Sequence, residues 1–157
     1  VGSTFWAWVP CEISILGQID QVVQPQTKSQ FVQTENPEEK IKILIAEDND
    51  SNYSLVFHIL KDYDLTRVEN GVEAIEKIRY EKFNLVLMDL KMPIMGGLEA
   101  TRKIREFNTE IPIIALTANA FDSDRSNANE AGCNDFLAKP VKKKQLLELL
   151  SKTQLTK

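Results

Sequence analysis

Leu85-Val86-Leu87-Met88-Asp89 is four apolar residues closed by one acid. The run has no in/out alternation. That is the signature of a central strand in a parallel sheet covered on both faces. Ile41-Lys42-Ile43-Leu44-Ile45-Ala46 and Ile113-Ile114-Ala115-Leu116 have the same β-rich character. Leu65–Glu69 and Asp135-Phe136-Leu137-Ala138 supply two further strands.

Between the strands the apolar period lengthens to that of a helix. Leu55, Val56, Ile59 and Leu60 mark the first helix, and Val72, Ala74, Ile75 and Ile78 the second. A third follows Gly96-Gly97 and turns Leu98, Thr101, Ile104 and Phe107 inward. Phe121–Ala131 is a fourth, stopped by Gly132. Val141–Lys152 is the last, with Leu146, Leu147, Leu149 and Leu150. Five β/α repeats predict a doubly wound α/β domain with a five-stranded parallel sheet, flavodoxin-like, in the order 2-1-3-4-5.

Outside these repeats the composition changes. Residues 11–40 are rich in Gln, with Pro25, Pro37 and acids from Glu35 to Glu39, and read as a linker. Residues 154–157 are a short tail. The chain has 157 residues, 43% of them hydrophobic, enough for a substantial core. A net charge of −4 argues against non-specific nucleic-acid binding. Cys11 and Cys133 stand in no metal-binding spacing, which fits a reducing, cytoplasmic setting. No apolar run is long enough to span a membrane, and no membrane contact is expected of this stretch.

In doubly wound sheets, sites lie at the carboxyl ends of the strands. Glu47-Asp48, Asp89, Thr117 and Lys139-Pro140 occupy those ends. Three carboxylates brought together repel, so either one holds a proton or a cation binds. An all-oxygen site favours Mg²⁺. Asp89, on the central strand, is the best-placed nucleophile. The Lys139 ammonium and the Thr117 hydroxyl can meet phosphoryl oxygens. His58 has no second ligand near it and reads as a packed or surface residue. Lys142-Lys143-Lys144 reads as a solvated helix face.

Ile43-Leu44-Ile45-Ala46-Glu47-Asp48-Asn49, Leu87 to Pro93, Met95-Gly96-Gly97, Ile114 to Ala118 and Lys139-Pro140 resemble the motifs of response-regulator receiver domains, in their usual order, over residues 41–153. The resemblance implies a phosphorelay domain that takes a phosphoryl group from phosphohistidine onto Asp89. It implies Mg²⁺ on Glu47, Asp48, Asp89 and the Lys91 backbone carbonyl. It implies a switch pair in Thr117 and Phe136, a phosphate contact from Lys139, and a cis Lys139-Pro140 bond. Only slow self-dephosphorylation is expected of such a domain. A histidine phosphotransfer protein is a further expected partner.

Val1 to Pro10 resembles the terminal strand of a histidine-kinase ATPase domain, which suggests a fragment of a hybrid sensor kinase. Two alternatives use similar groups. An aspartyl phosphatase of the haloacid-dehalogenase type needs an acid two residues after the nucleophile, where this chain has Lys91. A degenerate receiver acting only as a binding module would not keep all five site residues.

Overall fold

The computed structural model describes residues 40–118 and 122–153. The segments read above as a kinase strand (1–10), most of the linker (11–40) and the tail (154–157) lie outside the described residues. The elements run β1 (Lys42–Ala46), α1 (Asp50–Ile59), β2 (Asp64–Val68), α2 (Gly71–Tyr80), β3 (Leu85–Asp89), α3 (Gly97–Arg105), β4 (Ile113–Thr117), α4 (Asp122–Ala131), β5 (Asp135–Ala138) and α5 (Lys143–Lys152). All strands are parallel, in the order β2-β1-β3-β4-β5. The predicted topology is therefore the observed one, with the described element ends shifted by one or two residues, while Phe121, the expected start of the fourth helix, lies outside the described residues.

Every residue of β3 and β4 is buried. Their side chains alternate between two cores, as the strand period requires. Leu44, Val86, Met88, Ile113 and Ala115 face α2, α3 and α4 through Ala74, Ile78, Ala100, Ile104 and Ala128. Ile43, Ile45, Leu85, Leu87, Ile114 and Leu116 face α1 and α5 through Val56, Leu60, Leu146, Leu149 and Leu150. Each fully buried Leu or Ile stabilises the fold by roughly 1.5–3 kcal/mol, so these two layers are the main cohesive force.

Four expected core residues are on the surface. Leu55, Val72, Phe107 and Leu147 are all among the exposed large hydrophobics. The physical reason is the narrow stripe that a short helix buries. In α1, Val56 is buried inside the helix and Leu60 at its C-cap, one turn on. Leu55 is rotated about 100° from Val56 and faces out. Phe107 follows α3 and lies under Arg79, whose guanidinium sits 4.7 Å from the ring centroid.

Local signals start and stop the helices. Asn49 caps α1 by accepting from the backbone N–H groups of Ser51 and Asn52. Asn70 caps α2 by accepting from Glu73 N–H, and the Glu73 carboxylate accepts in return from the Asn70 amide and the Glu69 N–H. Gly132, at φ +97°, ends α4 in the left-handed region that favours glycine.

Candidate phosphoryl and metal site

Four strands end at one edge, and each delivers one part of the site. Glu47 and Asp48 follow β1, Asp89 ends β3, Thr117 ends β4, and Lys139 follows β5. One ligand oxygen from each of Glu47, Asp48 and Asp89 lies within 4.8 Å of the others. Glu47 and Asp89 are buried, while Asp48 is exposed. The Lys139 ammonium donates to Asp89 Oδ2 at 2.6 Å. It is also 2.6 Å from Glu47 Oε2. Glu47 Oε2 is buried, with that ammonium as its ion-pair partner and no other donor. The Lys139-Pro140 peptide bond is cis.

The other oxygens are held by neighbouring groups. Asp89 Oδ1 accepts from the Lys91 backbone N–H at 3.0 Å. Glu47 Oε1 accepts from the Asn52 amide at 2.9 Å. The buried Thr117 hydroxyl donates to Asp124 Oδ2 on α4 at 3.1 Å. Phe136 is half-buried, with the Arg125 guanidinium 4.3 Å from its ring centroid.

The electrostatics follow from one ammonium serving two buried carboxylates. Burial pushes the Asp89 carboxyl above its ordinary value, and the Glu47 charge adds to this, against hydrogen bonds from Lys139 and the Lys91 N–H. Burial alone would lower Lys139, but its contacts with Asp89 and Glu47 outweigh it and hold the ammonium above its usual value. The site carries more negative charge than its lysine neutralises. Three clustered carboxylates sharing one ammonium leave a surplus of negative charge that a hard divalent cation relieves, so the residues present fit such an ion.

Gly97 lets α3 approach this edge. A Cβ there would lie 2.1 Å from the Asp89 carbonyl oxygen and 2.8 Å from Met88 Cγ. Ile94, in the loop between Asp89 and α3, has φ +65° and is 84% exposed. His58 is on the surface, its Nδ1 2.6 Å from the Ser54 carbonyl, and it has no place in the site.

The structure brings Glu47, Asp48, Asp89 and Lys139 together, with Thr117 at the end of β4 on the same edge and Phe136 on the neighbouring β5. Sequence reasoning missed Asn52, Asp124 and Arg67, the last of which holds the β1–α1 loop. Asn52 lies one helical turn from the cap Asn49, the one local hint that it could reach back. Asp124 and Arg67 stand in no motif.

A doubly wound sheet with an acid cluster and a lysine at its carboxyl edge is the arrangement expected of a receiver domain. Residues 43–151 match the response regulator receiver domain family, and the chain belongs to it, as a receiver of two-component phosphorelays. It is 37% identical over 143 residues to the sensor protein EvgS of Escherichia coli K12, covering 90% of this chain and 11% of EvgS. It is 34% identical over 148 residues to the autoinducer 2 sensor kinase/phosphatase LuxQ of Vibrio vulnificus, covering 92% of this chain and 17% of LuxQ. The chain therefore spans a small part of these relatives' length. Among solved structures, the receiver domain of the sensor histidine kinase PA1611 from Pseudomonas aeruginosa, with magnesium in its active-site cleft, is 38% identical at TM-score 0.68. The match covers 73% of this chain and 97% of that one. The co-crystal of the Saccharomyces cerevisiae phosphotransfer protein Ypd1 with the Ssk1 receiver matches at 31% identity and TM-score 0.68, covering 72% and 88%. Membership of this family sets aside the aspartyl-phosphatase alternative.

Proposed function

We propose that Asp89 is the phospho-acceptor, that Glu47, Asp48, Asp89 and the Lys91 carbonyl hold Mg²⁺, and that the donor is a phosphohistidine on a partner protein or domain. The observation that carries this reading is the Lys139 ammonium shared by Asp89 and Glu47 at 2.6 Å, with Asp48 completing the acid cluster. In the transfer, an Asp89 carboxylate oxygen forms the new bond to phosphorus as the bond from phosphorus to the imidazole nitrogen breaks. The imidazole leaves and the aspartate becomes an acyl phosphate. Bound Mg²⁺ supplies charge neutralisation for the phosphoryl oxygens. Lys139 follows the charge from the carboxylate to a phosphoryl oxygen. Thr117 exchanges its Asp124 partner for another phosphoryl oxygen, and Phe136 turns into the space this opens, changing the surface formed by β4, α4 and β5.

The relatives' names extend the reading to the parent protein. Alignments covering 90% and 92% of this chain exceed the receiver alone and run into the segment before residue 40. That supports a hybrid sensor kinase in which residues 1–10 end the ATPase domain, with this receiver on the cytoplasmic side. A histidine phosphotransfer protein is the onward partner by analogy with Ypd1.

The test is labelling by acetyl phosphate with Mg²⁺. An acid-stable, base-labile, hydroxylamine-sensitive phosphate on Asp89 is expected. Full labelling of Asp89→Asn would sink the assignment.

A further inference from the structure

Asp48 is the exposed member of the acid cluster, and no side-chain or backbone donor holds its carboxylate among the described residues. Its position is therefore set by its backbone. Two groups hold that backbone from the β2 side. The Glu47 N–H donates to the Val68 carbonyl at 3.0 Å. Next to Val68, on the same edge strand, is Arg67.

Arg67 pairs in register with Ile45 and sends its side chain up over the β1–α1 loop. Its Nε donates to the Glu47 carbonyl at 3.1 Å, and its Nη2 to the Asp48 carbonyl at 3.1 Å. Its Nη1 donates to Asp50 Oδ1 at 2.7 Å. The guanidinium lies 4.6 Å from the centroid of the Tyr53 ring on α1. The side chain is 22% exposed. The ion pair with exposed Asp50 contributes little by itself. The informative feature is the fork, which takes two consecutive carbonyls, those of the acidic pair.

We infer that Arg67 is the positioning residue of the metal site, holding the Glu47-Asp48 backbone so that both carboxylates point at Asp89. This rests on the reading of Glu47, Asp48 and Asp89 as the Mg²⁺ site. The guanidinium is suited to the task because its donors lie in one rigid plane that also stacks on a ring. A lysine ammonium is a point charge and cannot reproduce both carbonyl contacts and the stacking.

Charge and positioning predict opposite signs, which makes the inference testable. A cation beside a carboxylate cluster repels Mg²⁺, so removing it should tighten binding if charge were its only role. Removing a positioning residue should weaken it, typically by about 10-fold for outer-shell partners. Calorimetric Mg²⁺ titration of the full chain would compare wild type, Arg67→Met, Arg67→Lys and Asp48→Ala, with urea midpoints measured on the same samples. We expect Arg67→Met and Arg67→Lys both to weaken Mg²⁺ by about 10-fold. Arg67→Lys keeps the charge and carries the test if Arg67→Met does not fold. An unchanged or tighter dissociation constant in a folded Arg67 variant overturns the inference. Wild-type binding that Asp48→Ala leaves unchanged defeats the site itself, a separate result.

Discussion

The two ends of the same sheet solve their polar contacts in opposite ways. At the amino end, three asparagines satisfy backbone groups where strands begin. Asn84 accepts from Lys42 N–H, Asn108 from Glu110 and Ile111 N–H, and Asn134 from Ile113 N–H. Arg105 ties α3 to this end through the Gly132 and Asn108 carbonyls and the Asn134 side chain. At the carboxyl end, two buried carboxylates share a single lysine ammonium, and Glu47 Oε2 has no partner besides it. The amino end is built for stability. The carboxyl end gives up stability for a charge surplus that a cation can relieve.

The largest expected contrast comes from Asp89→Asn. It should cut labelling by at least about 100-fold, yet raise the urea midpoint in metal-free buffer near pH 7. The sign follows from the raised folded-state carboxyl value. Such a group contributes stability while protonated, below its unfolded value, and loses it as pH rises through the folded value. The ionised form is a net cost at neutral pH, so the gain from Asn should shrink toward about pH 4. Urea curves at the two pH values check this, and a midpoint that falls near pH 7 would contradict it.

Mg²⁺ should lessen the contrast between the ends. At ten times its dissociation constant it should stabilise the wild type by about 1.4 kcal/mol, and Asp48→Ala far less. Thermal melts with and without the ion measure this. Equal shifts in both proteins would place the ion elsewhere.

At the amino end, Asn134→Ala removes the acceptor for Ile113 N–H and for Arg105. It should cost about 1 kcal/mol and leave the labelling rate unchanged. A slowed rate would show that the two ends are coupled.

The smallest effect concerns Ile94. A β-branched residue at φ +65° is strained, and Ile94→Gly should stabilise the fold by about 0.5–1 kcal/mol in denaturant titration. A loss of stability would mean that the exposed side chain makes contacts that outweigh the strain.

By itself, the sequence determined the order of the elements, the topology and which polar residues stand at the carboxyl ends of the strands. Strand runs such as Leu85–Asp89 are local, and parallel β/α repeats send every strand end to the same edge. Glu47, Asp48, Asp89, Thr117 and Lys139 could be chosen from that rule without coordinates. Helix faces were less legible, as Leu55 and Leu147 show, because a short helix buries one stripe and its phase depends on packing. Only the tertiary structure decided what holds the site residues in place. Arg67 reaches the β1–α1 loop from an adjacent strand, Asn52 turns back onto Glu47, and Asp124 meets Thr117 from α4. These contacts depend on where side chains point once strands and helices are packed, which neither periodicity nor spacing encodes.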